Sequence, residues 1–379
     1  MAYLAAIGTR KGLFLATSDD RRSWSVEGPI NVDPDGFTDA SEFYSIGIDP
    51  RTNRIMVGAS SPHFGTSLWS SDDLGRTWRE PQQAPIAFPQ DLPYRPLDFS
   101  DNPGVDQPDS DKKNTLARVW QLVFGDQPGR VYAGVEPSAL FISDDGGETF
   151  EFNRSLWNVP EHVTWGPGAG GAAVHTIVPG EGDQLTVGVS TGGIYQSDDG
   201  GRSWTNVSKG ISTDYLPEEY PDSGQCIHKV VRDTSGGYFV QSHGPVFYSN
   251  DPESGWKEVS DGLPSRFGFS VVAHPSQEKT AVVFPVEASL HRFPPQNKLQ
   301  AWRTEDAGQT WSEWSSGLPS EAYCGQVLRD GASVDNGDVP AFYFGTRCGD
   351  VYAAIDGQDW VPVAQHLPDV LCVRAVEVS

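Results

Sequence analysis

An all-β fold, a seven-bladed β-propeller, is what this sequence predicts, and three observations predict it. The octapeptide "SDDGGRSW", Ser197 to Trp204, recurs as "SDDLGRTW" from Ser71, "SDDGGETF" from Ser143 and, with changes, "TEDAGQTW" from Thr304. The third residues of these boxes are Asp73, Asp145, Asp199 and Asp306, and degenerate copies add Asp20, Asp251 and Asp356. Five of the six successive intervals fall between 50 and 55 residues, and the sixth is 72. Composition agrees, because 41 Gly, 29 Pro and 12 Trp against 2 Met suit short strands and tight turns better than helices.

Each unit has the same internal order. An apolar strand ("AAVHTIVPG") is followed by a second ("QLTVGVST"), a third ("GGIYQS"), the box, and a fourth that starts at the box tryptophan ("SWTNVS"). A single four-stranded sheet cannot bury both of its faces, whereas a closed ring of seven can. Length alone would suggest two or three domains, but the repeat predicts one domain over residues 1–379. The long interval carries an insertion between Pro81 and Leu116. At the start, "LAAIGTR" matches a second strand and lacks a first, while the final "VLCVRAVEV" has no unit of its own. The two ends are therefore expected to complete one sheet together.

A formal net charge of -24 excludes partners whose phosphates would be repelled, namely nucleic acid and anionic membrane surfaces. No apolar run approaches the roughly 20 residues that span a bilayer. The N-terminal stretch alternates like a strand and has no basic leader, so a cytoplasmic setting is expected. Cys226, Cys324, Cys348 and Cys372 are too few for a disulfide scaffold and are expected reduced, although Cys324 and Cys348 fall close enough in the last unit to be neighbours.

The box has its own chemistry. Its Ser and Asp side chains accept backbone N–H groups within a turn, its glycine (Gly201, for example) permits positive φ, and its aromatic residue (Trp204) packs between units. The pattern S-x-D-x-G-x-T-W resembles the Asp-box, or bacterial neuraminidase repeat, of sialidase-like propellers, and the arrangement is similar to repeat proteins labelled glycosyl hydrolase. The resemblance implies that the box lies between third and fourth strands, on the face opposite the ligand site. Asp73, Asp145, Asp199 and Asp306 are then structural.

The ligand face would carry the starts of the inner strands, the turns between second and third strands, and the connections between units. Inner-strand starts are Tyr44, Trp120, His175, His228 and Phe269; the turns supply Arg10, Lys11, His63, Glu136, His243, Glu287 and Arg347, with His291 nearby. Convergent polar groups of this kind suit a small-molecule pocket. Three functions fit it. In a glycosidase-like hydrolase, Glu136 and Glu287 act as acid with base or nucleophile, while Arg10 and Arg347 bind a carboxylate and Lys11, Tyr44, Trp120 and His243 contact a small polar or carbohydrate-like substrate. The chain lacks the Arg-Ile-Pro signature of true sialidases, so sialic acid is not the expected substrate. In a metal-dependent enzyme, His175, His228 and His243 hold a divalent transition metal, or the histidines serve as acid and base in a lyase. In a binding module, the same face grips a protein or glycan. The acidic run Asp101, Asp106, Asp109 and Asp111, and "DPDGFTD" from Asp33, are candidate structural calcium loops. "GPGAGG" lacks the Lys-Ser/Thr of a phosphate loop.

Overall fold

The computed structural model describes residues 2–33, 41–81, 86–96, 107, 111–168, 171–288 and 291–378. Residues 34–40 and Asp101, Asp106 and Asp109 lie outside the described residues, and with them all of each candidate calcium segment but Asp33 and Asp111.

Short antiparallel sheets follow one another along the chain. Four have four strands, and each begins with the strand nearest the centre: Arg118–Phe124, Val174–Pro179, Ile227–Arg232 and Gly268–Ala273. Glu42–Asp49 opens a three-stranded sheet, which a bridge from Ser70 to Arg79 extends. The remaining sheet has eight strands, because Val370–Val378 bridges the inner strand Val327–Val334 at the single pair Cys372 and Asp330. On its other side Val370–Val378 pairs antiparallel with Ala2–Thr9, which pairs with Gly12–Ser18. The two chain ends thus share one sheet, as the unmatched terminal strands required.

The first strands touch in sequence from Glu42–Asp49 through to Val327–Val334, then Val370–Val378, which touches Glu42–Asp49 again. The contacts run round in a ring, so each sheet buries its two faces against its neighbours. Second strands approach the next first strand through glycine. A Cβ on Gly134 would lie 2.2 Å from the Val174 carbonyl oxygen, one on Gly8 2.5 Å from that of Phe43, and one on Gly345 2.5 Å from Val370.

The four clear boxes build one hydrogen-bond network each, on the turn between third and fourth strands. In the box of Asp199, Ser197 Oγ accepts the Gly201 N–H and donates to Asp199 Oδ1, which also accepts the Ser203 N–H, while Ser203 Oγ donates to Oδ2. Asp73, Asp145 and Asp306 repeat it. The unit tryptophans join sheets: the indole N–H of Trp256 donates to Val207 O, Trp311 to Val259 O and Trp360 to Trp314 O. Asp356 departs from the pattern, pairing instead with Arg303 and His274 of the preceding sheet.

Candidate functional site

Every first strand carries a register break near its start. The pairing skips Tyr44, Trp120, His175 and His228, each a single residue between two paired ones. Gly268–Ala273 breaks across Phe269 and Ser270, Val327–Val334 across Leu328 to Gly331, and the pairing of Val370–Val378 omits Leu371. A bulge turns its extra residue away from the pleat. Here Tyr44, Trp120, His175, His228, Phe269, Leu328, Arg329 and Leu371 all line one central cavity of about 810 Å³, a size that suits a small molecule. Strand direction places it on the face opposite the four boxes.

The wall between first strands comes from the second-to-third turns, with Arg10, Glu136, Thr191, His243 and Arg347, and from Arg292 in the loop after Pro285. Arg10 and Arg347 do not form an open carboxylate clamp. Arg10 holds Glu42 at 2.7 Å and Asp369 at 3.4 Å, and Arg347 holds Asp369 at 2.6 Å. The proposed pair of glutamates is not assembled either. Glu136, the last residue of Val131–Glu136, is buried in the cavity wall, whereas Glu287 lies beyond the end of Ala281–Pro285, exposed and away from the lining. Lys11, His63 and His291 are also exposed and outside the lining.

Glu136 accepts the Trp120 indole N–H at 2.9 Å and pairs with Arg118 at 3.0 Å, both through Oε2. Burial raises its pKa against the opposing pull of Arg118 and Trp120. Gly171, at φ +103°, leaves the room the carboxylate occupies: a Cβ there would stand 2.4 Å from Oε1.

His175 has no hydrogen-bond partner at either ring nitrogen. Burial, with Arg329 and Lys229 nearby, holds it neutral well below the ordinary imidazole value. His228 is held similarly by burial and Arg329. Its Nδ1 lies 2.6 Å from the Gly268 carbonyl and its Nε2 3.2 Å from His243 Nδ1. Among the described residues, the group able to hold a metal is Cys226, His228 and His243, whose ligand atoms lie within 4.8 Å of one another. His175 is not part of it, because its bulge sits one sheet away. Cys324 and Cys348 are free, exposed thiols.

Below the bulges the centre is plugged by charge. Asp330 takes Lys229 at 2.5 Å, Arg374 at 2.6 Å and the Gln121 amide at 3.3 Å, so its carboxylate is fully engaged. Arg329 differs from Arg10, Arg118, Arg347, Lys229 and Arg374, each of which holds a carboxylate. Its guanidinium lies 5.5 Å from the Phe269 ring and 5.9 Å from that of Trp120, and no carboxylate among the described residues pairs with it.

Sequence reasoning missed Arg118, Arg329, Asp330, Lys229 and Gln121. A signal existed for some of them. The residues just after the bulges, Ser45, Gln121, Thr176, Lys229 and Ser270, are polar yet buried in apolar strands. Two residues before the bulge residues Tyr44, Trp120 and His228 stand Glu42, Arg118 and Cys226. Val327–Val334 gave no clue, since its wider break hides the repeat position.

Residues 160–375, more than half of the chain, match the family described as the DUF6242 beta propeller domain. The chain belongs to that family. Among individual proteins, a xyloglucanase of Paenibacillus sp is 25% identical over 286 residues, covering 73% of this chain and 21% of its own. An oligoxyloglucan-reducing end-specific xyloglucanase of Emericella nidulans is 24% identical over 257 residues, covering 58% of this chain and 30% of its own. This DUF6242 propeller thus spans a fifth to a third of the length of those relatives. Its fold is similar to that of the Niastella koreensis GH74 enzyme, with a TM-score of 0.59 at 14% identity over 96% of this chain and 55% of the other.

Proposed function

We propose that this propeller is a hydrolase-like protein whose central cavity takes a small carbohydrate-like substrate bearing an acidic group. The xyloglucanase relatives support the carbohydrate class. The acidic group rests on one observation, the partly buried guanidinium of Arg329, which faces the cavity without a carboxylate partner among the described residues. Such a cation gains most from a ligand carboxylate, which supplies charge-assisted hydrogen bonds in a low-dielectric site. Tyr44, Trp120 and Phe269 line the cavity, with Arg118 and Arg329 lying over their rings. Glu136, whose pKa burial raises against the pull of Arg118, is the carboxyl placed to give the proton, and the unpartnered nitrogens of His175 orient the attacking water. We infer also that the eight-stranded sheet, joined at one bridge, counts as two blades, which supports seven in all, and that the boxes are of the Asp-box type.

The test is a screen of chromogenic uronides against the matching neutral glycosides. Turnover is expected for uronides. Arg329→Gln should raise KM by about 10- to 100-fold with kcat little changed, the loss of a charged hydrogen bond used equally in ground and transition states. Glu136→Gln should lower kcat by roughly 100-fold or more. A preference for neutral glycosides overturns the acidic group. No turnover, together with no calorimetric binding of uronic acids, overturns the function.

A further inference from the structure

We infer that Cys226, His228 and His243 form a zinc(II) site at the cavity wall, a site that does not depend on which substrate the cavity takes. The geometry is close to that of a bound metal. His228 Nδ1 donates to the Gly268 carbonyl at 2.6 Å, which leaves the Nε2 lone pair facing His243 Nδ1 at 3.2 Å. A metal-bound histidine characteristically has its second nitrogen fixed in this way. Two imidazole nitrogens on a tetrahedral zinc stand about 3.3 Å apart, given Zn–N bonds of about 2.0–2.1 Å. The thiol of Cys226 completes a set within 4.8 Å, and a shift of about 1 Å would bring it to bonding distance of a shared ion.

The backbone fixes the set before any metal arrives. His228 is the bulge residue of Ile227–Arg232, Cys226 precedes it by two, and the His243 N–H donates to the Cys226 carbonyl at 2.8 Å. Phe267 and Phe269 pack on the imidazoles, with Phe269 stacked on His228 at 4.9 Å, so neither ring is free to swing away. Burial keeps both histidines neutral, the form that ligates. All three residues line the cavity, so three protein ligands would leave a fourth position toward it, as in catalytic rather than structural zinc sites. Thiolate with imidazole selects zinc over magnesium or calcium. The charged groups acting on the site are Arg329, which hydrogen-bonds the Cys226 thiol, Arg292 and Asp214; burial raises the pKa of that thiol, so zinc must displace both its proton and the Arg329 contact. The arginines disfavour a bare cation, but a thiolate and an anionic fourth ligand would offset them.

The experiment uses the full chain in a Cys324→Ser/Cys348→Ser background, so that the exposed thiols cannot bind metal. Reduced protein is titrated with Zn(II) by competition with a chromophoric chelator, and with Co(II) by absorption. One equivalent is expected, and cobalt should give a thiolate charge-transfer band with intense tetrahedral ligand-field bands. Cys226→Ser should abolish the charge-transfer band, and His243→Ala should weaken zinc binding by more than about 100-fold. Melting curves of the metal-free variants, expected near that of the parent, check that they are folded. No stoichiometric binding, or binding and spectra unchanged in the two variants, overturns the site. Neither result bears on the uronide screen, which runs with chelator as well as with metal.

Discussion

Asp145 carries more of its turn than an exposed carboxylate ordinarily does. Burial would raise its pKa, but hydrogen bonds from the Thr149 hydroxyl, the Thr149 and Glu148 N–H groups and Ser143 outweigh it and bring the value down to about 2. The charge is therefore part of the turn. Asp145→Ala is expected to lower stability by roughly 1 kcal/mol once solvent screening is allowed for, with the cavity on the opposite face unaffected. Urea unfolding and uronide binding, measured side by side, check both halves. Loss of binding without loss of stability would place the box in the function instead. Asp356 behaves otherwise, since it ties Arg303 and His274 to the last unit. Asp356→Ala should loosen the junction of two sheets rather than a single turn.

A strand of this fold works through two local irregularities, the bulge in the first strand and the glycine in the second. Gly134→Ala would push a methyl group to 2.2 Å from the Val174 carbonyl, at an ordinary backbone conformation, so the cost is packing. About 1–3 kcal/mol of destabilisation is expected. Gly166→Ala, whose Cβ would meet only Thr191 Oγ1 at 3.5 Å, should cost far less, and a difference below 0.5 kcal/mol between the two, roughly the scatter of surface substitutions, would sink the close-approach argument. These irregularities also explain what could be read from the sequence. The repeated boxes and their spacing gave the units, and equivalent positions in aligned units gave Tyr44, Trp120, His175 and His228 as cavity residues. The same alignment misplaced Glu287 and Lys11, because a turn position fixes the level of a residue but not the direction of its side chain. Arg329 and Asp330 stayed hidden within the broader break of Val327–Val334. Cys226 was visible two residues before His228, but only the turn after the strand Tyr238–Ser242 brings His243 to them both.

Across the whole molecule, charge is sorted by depth. The chain carries a net charge of -24, yet among the described residues its centre is walled by Arg10, Arg118, Arg292, Arg329 and Arg347 with Glu136 and Asp330 as the acids of the lining. Neutral imidazoles share that interior. His175 and His228 are held well below the ordinary value by burial, and His162, between Trp157 and Trp165, is lowered to about 2 by burial and Arg95. Unfolding exposes all three. Below pH 6.5 the unfolded chain takes up protons that the folded chain refuses, so stability must fall as pH falls, and above that pH these groups contribute no slope. Each refused proton steepens that fall. The box aspartates, whose folded values are depressed, add their loss only below about pH 4. Urea unfolding in the presence of chelator should accordingly show stability level from pH 8 to 7 and falling from pH 6.5 towards 4.5. His162→Phe should remove about one proton from that slope without changing cavity binding. A stability independent of pH between 7 and 4.5 would mean that these rings take up protons in the folded chain as readily as in the unfolded one.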